Sequence, residues 1–467
     1  MRQPPRFRAP SVPTALTALT ALAALAALSA RALPAQNVTV FDNVNVIPMD
    51  RGRVLENQTV VVRDGRIAAM GPAGSVTVPA GAVRVAARGR FLLPGLAEMH
   101  AHIPGPGAAN TRGADYTENV LFLYVAGGVT TIRGMLGHPS HLELRRRVEA
   151  GQIVGPRIWT SGPSVNGTTV PTPAAAVTAA REQRAGGYDF IKIHPGVRRE
   201  VFDSLDAAAD REGIRFAGHV PVEVGIERAL EAGYWSIDHL DGYVEALAGR
   251  SGQQALWFGA QLGPAVDFTR IPDLATRTRA AGVWNVPTQT LMESFATAES
   301  AAQLAERPEM RYVPRVDRQG WITWKNEQDA RNIPREDLDR WIEARRRLIK
   351  ALHDAGAGLL LGSDAPQVWN VPGFSVHREL ETLVAAGLTP YEALVTGTRN
   401  VAVYLGTADR AGTIEVGRQA DFLLLEANPL TDIRNTTRRA GVMIRGVWHP
   451  QAEIEARLAG IAEGYGR

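Results

Sequence analysis

Residues 92–102 read LLPGLAEMHAH, an apolar run that ends in two histidines separated by one alanine. The same layout returns along the chain: a short apolar run ends in a polar residue and is followed by an amphipathic helical stretch. Buried parallel strands of α/β proteins have this pattern. Eight such runs between residues 94 and 405 predict an α/β fold with a (β/α)8 TIM-like barrel: GLAEMHAH (95–102), VTTIRGM (129–135), RIWTSGP (157–163), FIKIHPG (190–196), FAGHVP (216–221), SIDHLDG (236–242), WNVPTQT (284–290) and LLLGSDAP (359–366).

The parts of the chain on either side of the barrel are rich in short strands. Residues 36–93 alternate Val- and Ile-rich runs with Gly, Asn and Asp turns, and strands return in residues 406–467 at ADFLLLEANP and GVMIRGVWHP. We expect these two parts to form one small β-sandwich domain, with the barrel inserted between them. The seventh connection of the barrel, residues 292–356, is much longer than the others and charged. We interpret it as a helical insertion beside the site that could act as a lid.

The first 35 residues differ in composition from the rest of the chain. They contain four arginines and no acidic residue, and an uncharged Ala/Leu run is followed by small residues. This order is typical of a secretory signal peptide, with cleavage expected after Ala32 or Ala35. The sequence therefore predicts an exported protein, periplasmic or extracellular, without stable membrane association after cleavage. An uncleaved membrane anchor is the alternative.

Charge and cysteine content exclude several classes of protein. The 467 residues include 51 basic and 48 acidic residues, a net charge of +3, and removal of the four leader arginines leaves 47 basic against 48 acidic. This balance gives no basic patch for nucleic acid. The chain has no cysteine, which excludes disulfides, a thiolate nucleophile and cysteine-bound zinc. The expected partner is a small-molecule substrate, and assembly into a homo-oligomer is left open.

Four of the ten histidines follow predicted barrel strands at their C-terminal ends. His100 and His102 are two residues apart in one strand, so both side chains point to the same side and can bind one metal ion. His219 and His239 end the fifth and sixth runs. The C-terminal ends of the strands are where barrel enzymes build their active sites. A hydrogen-bonded core histidine is the alternative for each residue taken alone.

Asp364 and Lys192 complete the predicted centre. Asp364 ends the eighth run, where a carboxylate can bind the same metal as the histidine pair and exchange a proton with its water. Lys192 lies within FIKIHP, in a protein with 48 arginines and three lysines. Desolvation and nearby cations favour a neutral amine, which can take up CO2 and form a carbamate that bridges two metals; arginine cannot. The alternatives are a turn aspartate on the surface and a salt-bridged structural lysine.

Five motifs in this order resemble the amidohydrolase superfamily: HAH in strand 1, IKI in strand 4, GHV in strand 5, DHL in strand 6 and GSDAP in strand 8. Within it, the chain is most similar to the imidazolonepropionase-like branch, which includes bacterial Xaa-Pro dipeptidases and carboxypeptidases. The resemblance implies two divalent metal ions, zinc being the expected metal. It implies that the first is bound by His100, His102 and Asp364, the second by His219 and His239, and that a carboxylated Lys192 and a hydroxide bridge the two.

The resemblance implies hydrolysis of a C–N bond in an amide, N-acyl amino acid or dipeptide by this metal-activated hydroxide, with Asp364 passing the proton to the leaving nitrogen. Two departures put peptide specificity in question. SGPSVNGTTVP (161–171) lacks the histidine of the dipeptidases, and Gly134 replaces an aspartate after strand 2. Further candidates for substrate contact, expected on or next to the C-terminal rim, are Arg133, His138, His194, Tyr243 and His377, each with a structural role as the alternative.

Three other functions fit parts of the pattern. A lactonase or esterase could use the same two-metal centre. A deaminase with one metal would not require the bridging lysine. A binding protein without catalytic activity would not need the full ligand set.

Overall fold

The computed structural model of the chain describes residues 38–253 and 257–466. The predicted signal peptide at 1–35 lies outside the described residues. No helix in the described ranges is both long enough and apolar enough to cross a membrane.

Strands from both chain ends pair in one sheet. It contains β1 (Val38–Val46), β2 (Leu55–Arg63), β3 (Arg66–Pro72), β4 (Val83–Ala86) and β5 (Phe91–Pro94), and also β13 (Phe422–Leu425), β14 (Arg439–Ile444) and β15 (Val447–Pro450). The strand order is β15-β14-β13-β5-β1-β2-β3, with β4 paired to β1. β13 and β5 are antiparallel and join the two ends, with Leu424 opposite Leu92. The predicted joining of the two ends is therefore seen, whereas the described strands form one sheet and a sandwich is not confirmed.

The middle of the chain alternates strands and helices. The strands are β6 (Leu96–Ala101), β7 (Val129–Gly134), β8 (Arg157–Thr160), β9 (Phe190–Ile193), β10 (Arg215–Gly218), β11 (Ser236–Asp238) and β12 (Trp284–Val286). They pair as two parallel sheets, β6-β7-β8 and β12-β11-β10-β9. β6 and β9 are buried along their whole length, as expected for strands with both faces covered.

Isolated parallel bridges link these two sheets on both sides. Ser161 pairs with Phe190 between β8 and β9, while Asn285 pairs with Leu359 and Ala101 with Ala365 on the other side. The eighth predicted run thus lies between β12 and β6 but makes single bridges in place of a strand ladder. The arrangement is barrel-like, and a continuous ladder of eight strands is not present among the described residues.

The described part of the chain also contains sixteen α-helices. They are α1 (Ala109–Arg112), α2 (Tyr116–Ala126), α3 (Ser140–Glu149), α4 (Pro173–Ala185), α5 (Arg199–Glu212), α6 (Gly225–Glu231), α7 (Tyr243–Leu247), α8 (Ile271–Ala281), α9 (Gln289–Ala296), α10 (Ala301–Ala305), α11 (Arg315–Asp329), α12 (Arg335–Asp354), α13 (Ser375–Ala385), α14 (Pro390–Thr396), α15 (Arg399–Tyr404) and α16 (Gln451–Gly466). Short 3₁₀ helices cover Pro106–Ala108, Trp257–Ala265, Phe268–Arg270, Pro308–Tyr312 and Ile433–Thr437. The long seventh connection is helical, as predicted.

Buried apolar side chains form a large core between the barrel strands and helices and a separate core against the small sheet. The large core includes Leu121, Ile191, Phe202 and Leu348. The small one is built around Phe41, Val60, Phe422 and Met443. Burial of these side chains fixes the strands, and the polar residues at the strand ends are thereby held in place.

Candidate metal centre

The predicted ligands lie at the C-terminal ends of the barrel strands. His100 lies in β6, Lys192 lies in β9, and His219 and His239 directly follow β10 and β11. Backbone hydrogen bonds to the neighbouring strand hold three of them: His102 N–H donates to Ala365 O (2.7 Å), His219 N–H to Ile193 O (3.0 Å) and His239 N–H to Val286 O (2.8 Å). The ladder positions therefore determine where the imidazole rings lie.

Gly218 gives the lysine side chain room to cross the site. A Cβ at position 218 would lie 2.5 Å from Lys192 Cδ, and the backbone there has φ +121°. Both features require glycine. The GH pair of the fifth run therefore contributes the candidate ligand His219 and also leaves space for Lys192.

The side chains converge on one point. Three buried residues, His100, His239 and Asp364, each offer one atom that could bind a metal ion. These three atoms lie within 4.8 Å of one another. His102 Nε2 lies 2.7 Å from Asp364 Oδ1. The His239 ring lies 4.5 Å from the His100 ring and 4.6 Å from the His219 ring, measured between centroids. Four imidazoles and one carboxylate thus lie together, as the sequence predicted.

Backbone strain is concentrated at the same place. His239 has φ 62°, Asp364 has φ 66° and Thr288, beside His239, has φ 47°. Residues other than glycine adopt this left-handed region at a cost, and such residues cluster at functional sites.

Each of three histidines has a polar group beside its Nδ1 atom. His219 Nδ1 lies 2.7 Å from Asp241 Oδ2, and His239 Nδ1 lies 2.8 Å from Thr288 Oγ1. His100 Nδ1 lies 2.9 Å from Asp238 Oδ2. Partners of this kind orient metal-binding histidines and determine which nitrogen is free. Because Nδ1 of His219 and His239 is occupied, Nε2 is the nitrogen left for a metal ion.

Burial favours the neutral form of two imidazoles of the cluster. It lowers the pKa of His100 and of His239 well below the usual value, helped by Lys192 and by the neighbouring imidazoles. Burial alone would raise the pKa of Asp364, but His100 and His102 beside it lower it overall. Neutral imidazole and ionised carboxylate are the forms that bind metal ions.

Lys192 is buried without a hydrogen bond. Its Nζ has no hydrogen-bond partner among the described residues, and the nearest carboxylate oxygen, Asp238 Oδ2, lies 3.6 Å away. Burial lowers its pKa, an effect that Asp238 and Asp364 oppose. A buried amine without a hydrogen bond is rare, so it indicates a group that the protein chain itself does not supply. The donor set and this amine fit a site for divalent metal ions.

Three of the further candidates lie in the core and not on the rim. Arg133 is fully buried and donates to Met99 O, Ser236 Oγ and Asp238 Oδ1. Tyr243 is fully buried, with its hydroxyl bonded to Thr278 and Asn285. His377 is buried between Thr436 Oγ1 and Gly127 O, both at 2.9 Å. The expectation of rim positions was wrong for these residues because their side chains point inward and satisfy other buried groups.

The other two candidates differ from each other. His138 is exposed, and its Nδ1 accepts a hydrogen bond from Ser140 N–H at the start of α3 (3.1 Å), away from the cluster. His194 lies at the centre: its ring is 5.5 Å from that of His219, and its Nδ1 lies 2.8 Å from Ser164 Oγ. Burial lowers the pKa of His194 to about 2, so a neutral imidazole lines the site.

A cavity of about 560 Å³ opens above the cluster. The imidazoles and Asp364 form its floor, and residues of α9, α11 and several connecting segments form its walls. The sequence predictions missed these wall residues and the outer partners Asp238, Asp241 and Thr288. Asp238 and Asp241 flank His239 within SIDHLDG, which is a signal that could have identified them. The wall residues are Leu136, Phe258, Leu291, Phe295, Trp324, Gln328, Arg331, Gln367 and Val368.

Comparison with known proteins gives a consistent result. The model of the amidohydrolase family matches residues 91–449. The ochratoxinase of Aspergillus niger is 24% identical over 435 residues, which cover 85% of this chain and 83% of that protein. The solved structure of a bottromycin amidohydrolase is similar with a TM-score of 0.70 and 25% identity, covering 92% of this chain and 91% of that one. A Xaa-Pro dipeptidase structure, at 21% identity and a TM-score of 0.64, covers 89% of this chain and 100% of its own.

The family match extends from β5, before the barrel, to β15, after it, so the family and the fold agree over the whole barrel. The resemblance inferred from the five motifs is confirmed. The chain belongs to the amidohydrolase family and is a metal-dependent hydrolase that acts on carbon–nitrogen bonds.

Proposed function

We propose that this chain is a binuclear enzyme that hydrolyses an amide bond in a small molecule, such as an N-acyl amino acid or a dipeptide. The observation that carries the proposal is the convergence of four histidines and Asp364 on the cavity floor, together with Lys192, whose Nζ is buried and without a hydrogen bond. The ion pair with Asp238 Oδ2, at 3.6 Å, is too long for a hydrogen bond, so the protein alone leaves the hydrogen-bonding capacity of the amine unused.

Six residues would hold the two metal ions, for which zinc is the expected metal. His100, His102 and Asp364 would bind one ion and His219 and His239 the other, with Lys192 between them. Addition of CO2 to Lys192 would form one N–C bond and release one proton, and the resulting carbamate has two oxygens for two ions. It would also give the amine the interactions that it lacks in the protein alone.

The chemistry is hydrolysis without a covalent enzyme intermediate. When bound, divalent ions polarise a substrate carbonyl and lower the pKa of water. Asp364 lies at the cavity floor, and its carboxylate would take the proton of the attacking water and give it to the leaving nitrogen. Water is consumed, the C–N bond breaks, and a carboxylic acid and an amine are released.

We further propose that the enzyme is exported. The support is the leader composition of residues 1–35. Amino-terminal sequencing of the protein from a secretion-competent host tests this, and we expect a first residue of Leu33 or Gln36.

A parallel panel of amides, lactones and esters tests the reaction class. The wild-type enzyme with zinc should hydrolyse amides with the highest kcat/KM, and prior removal of metal with a chelator should abolish turnover until zinc is restored. A preference for lactones would replace the amidohydrolase proposal with a lactonase. Ammonia release from an aminopurine or a related ring would indicate deamination instead.

A further inference from the structure

The walls of the cavity differ in character from its floor. Outside the metal centre, Arg331 is the one charged side chain among the described residues that line the cavity. Six wall side chains are apolar, and three of these are aromatic. A cavity with this lining favours a substrate that combines a bulky apolar group with a negative charge.

The aromatic residues form a row that starts at the metal centre. The Phe258 ring lies 5.5 Å from the His239 ring, Phe295 lies 6.1 Å from Phe258, and Trp324 lies 4.6 Å from Phe295, measured between centroids. Rings at such distances are packed against one another, and together they give the cavity wall an aromatic surface. The row leads from His239 to α11. An aromatic group of a bound substrate could therefore lie against these rings, between the cavity floor and α11.

The insertion supplies the outer end of the row and the charge. Trp324 and Gln328 are four residues apart in α11 and therefore share one face of the helix, and Arg331 follows the end of α11. Arg331 is exposed to solvent and lines the cavity. Arginine binds carboxylates through two parallel hydrogen bonds.

We propose that the substrate is an N-acyl amino acid or dipeptide with an aromatic side chain and a free carboxylate. Its scissile carbonyl lies at the floor, its ring packs against Phe258, Phe295 and Trp324, and its carboxylate binds Arg331. This inference rests on the proposed amide hydrolysis and specifies the substrate class for that site. The insertion is then the specificity element of the enzyme.

Three acyl compounds test the substrate class on the zinc-loaded enzyme: N-acetyl-L-phenylalanine, N-acetyl-L-alanine and N-acetyl-L-phenylalaninol. The second lacks the ring and the third lacks the carboxylate, while all three release acetate. We expect kcat/KM for N-acetyl-L-phenylalanine to exceed each of the others about 10-fold or more. Equal values for the three compounds would overturn the inference.

Two substitutions then assign the contacts. Arg331→Gln should lower the kcat/KM ratio of the acid over the alcohol about 10-fold, mainly through KM, and Trp324→Leu should lower the ratio of the phenyl over the methyl compound several-fold. The matched control is Arg315→Gln, an exposed arginine at the start of α11 that does not line the cavity, which should leave both ratios unchanged. Equal effects of Arg331→Gln and Arg315→Gln would contradict the role of Arg331.

Metal content separates failure of this inference from failure of the proposed function. An enzyme that holds zinc and hydrolyses amides without the two preferences contradicts the substrate class alone. If none of the three compounds is hydrolysed, calorimetric titration of the zinc-loaded protein with L-phenylalanine and L-phenylalaninol decides the question. Binding of the acid about 10-fold tighter supports the inference, and equal or absent binding overturns it.

Discussion

At the scale of the residue, Asp241 is the outer partner of a predicted ligand. Its Oδ2 lies 2.7 Å from His219 Nδ1, and both side chains are largely buried. Outer carboxylates hold the imidazole in the orientation for binding, and their loss typically weakens metal binding 10- to 100-fold. We expect Asp241→Asn to weaken zinc binding about 10-fold or more, as measured by competition with a chromophoric chelator. Asp273→Asn, an exposed carboxylate on α8, is the control, and equal affinities of the two variants would contradict the role of Asp241.

Arg133 shows a second kind of residue, one whose role is structural. It is fully buried and is the ion-pair partner of Asp238, which lies beside His100 and Lys192. Arg133→Met leaves that carboxylate buried without its main counter-charge, and such a change costs about 3–5 kcal/mol in free energy of unfolding. Urea denaturation checks this, with the exposed Arg277→Met on α8 expected to cost less than about 0.5 kcal/mol. If Arg133→Met lowers the free energy of unfolding by less than about 1 kcal/mol, the other partners of Asp238 are sufficient to stabilise its buried charge, and the prediction is contradicted.

These residues also show what sequence could predict at this scale. The candidate metal-binding residues were identifiable because strand periodicity and chain position alone place His100, His102 and His239 at one rim. Arg133 lies at the end of a barrel strand too, but its inward direction depends on which buried acceptors surround it. Those acceptors, Asp238, Ser236 and Met99 O, come from other strands, and the sequence does not pair them.

At the scale of the element, His377 of α13 makes side-chain contacts with two other segments of the protein. Its two ring nitrogens contact Thr436 Oγ1 and Gly127 O, which belong to the segment before β14 and to the end of α2. Burial lowers the pKa of His377 to about 3, and the nearby Arg439 and Arg378 act in the same direction. The neutral ring fits this position, since it can donate to the carbonyl and accept from the hydroxyl.

This burial predicts a pH dependence of stability. Between pH 3 and pH 6.5 the unfolded chain binds a proton at position 377 that the folded chain does not. The contribution of neutral His377 to the free energy of unfolding is therefore complete above about pH 6.5 and is lost as the pH falls towards 3. The free energy of unfolding is measured by urea denaturation at pH 7 and at pH 4.5. It should fall between these values by about 2 kcal/mol more in wild type than in His377→Gln, whose side chain stays neutral. Equal losses would contradict the prediction.

The insertion shows the limit of prediction at the element scale. Its length, charge and tryptophans predicted helices beside the site, and the structure has α11 and α12 there, with Trp324 of α11 on the cavity wall. Trp341 of α12 instead lies buried in the core. Which tryptophan faces the cavity depends on how each helix packs against its neighbours, and a pattern within one helix does not determine that packing.

At the scale of the whole molecule, one sheet joins the parts of the chain that precede and follow the barrel. β5 leads into the barrel and pairs with β13, which follows it, so the small domain contains both entry and exit. The apolar runs on both sides of the barrel predicted this arrangement. They did not determine the number of sheets, because alternation within a strand fixes which side chains are buried and leaves open what covers them.

The central claim for the whole molecule is that Lys192 helps to hold two metal ions. The most direct test is zinc content per chain for wild type and Lys192→Ala, both purified with zinc and bicarbonate, with the exposed Lys350→Ala as control. We predict about two zinc ions for wild type and Lys350→Ala and one or fewer for Lys192→Ala. One ion in all three proteins, or two in all three, would contradict the account and leave Lys192 a structural residue.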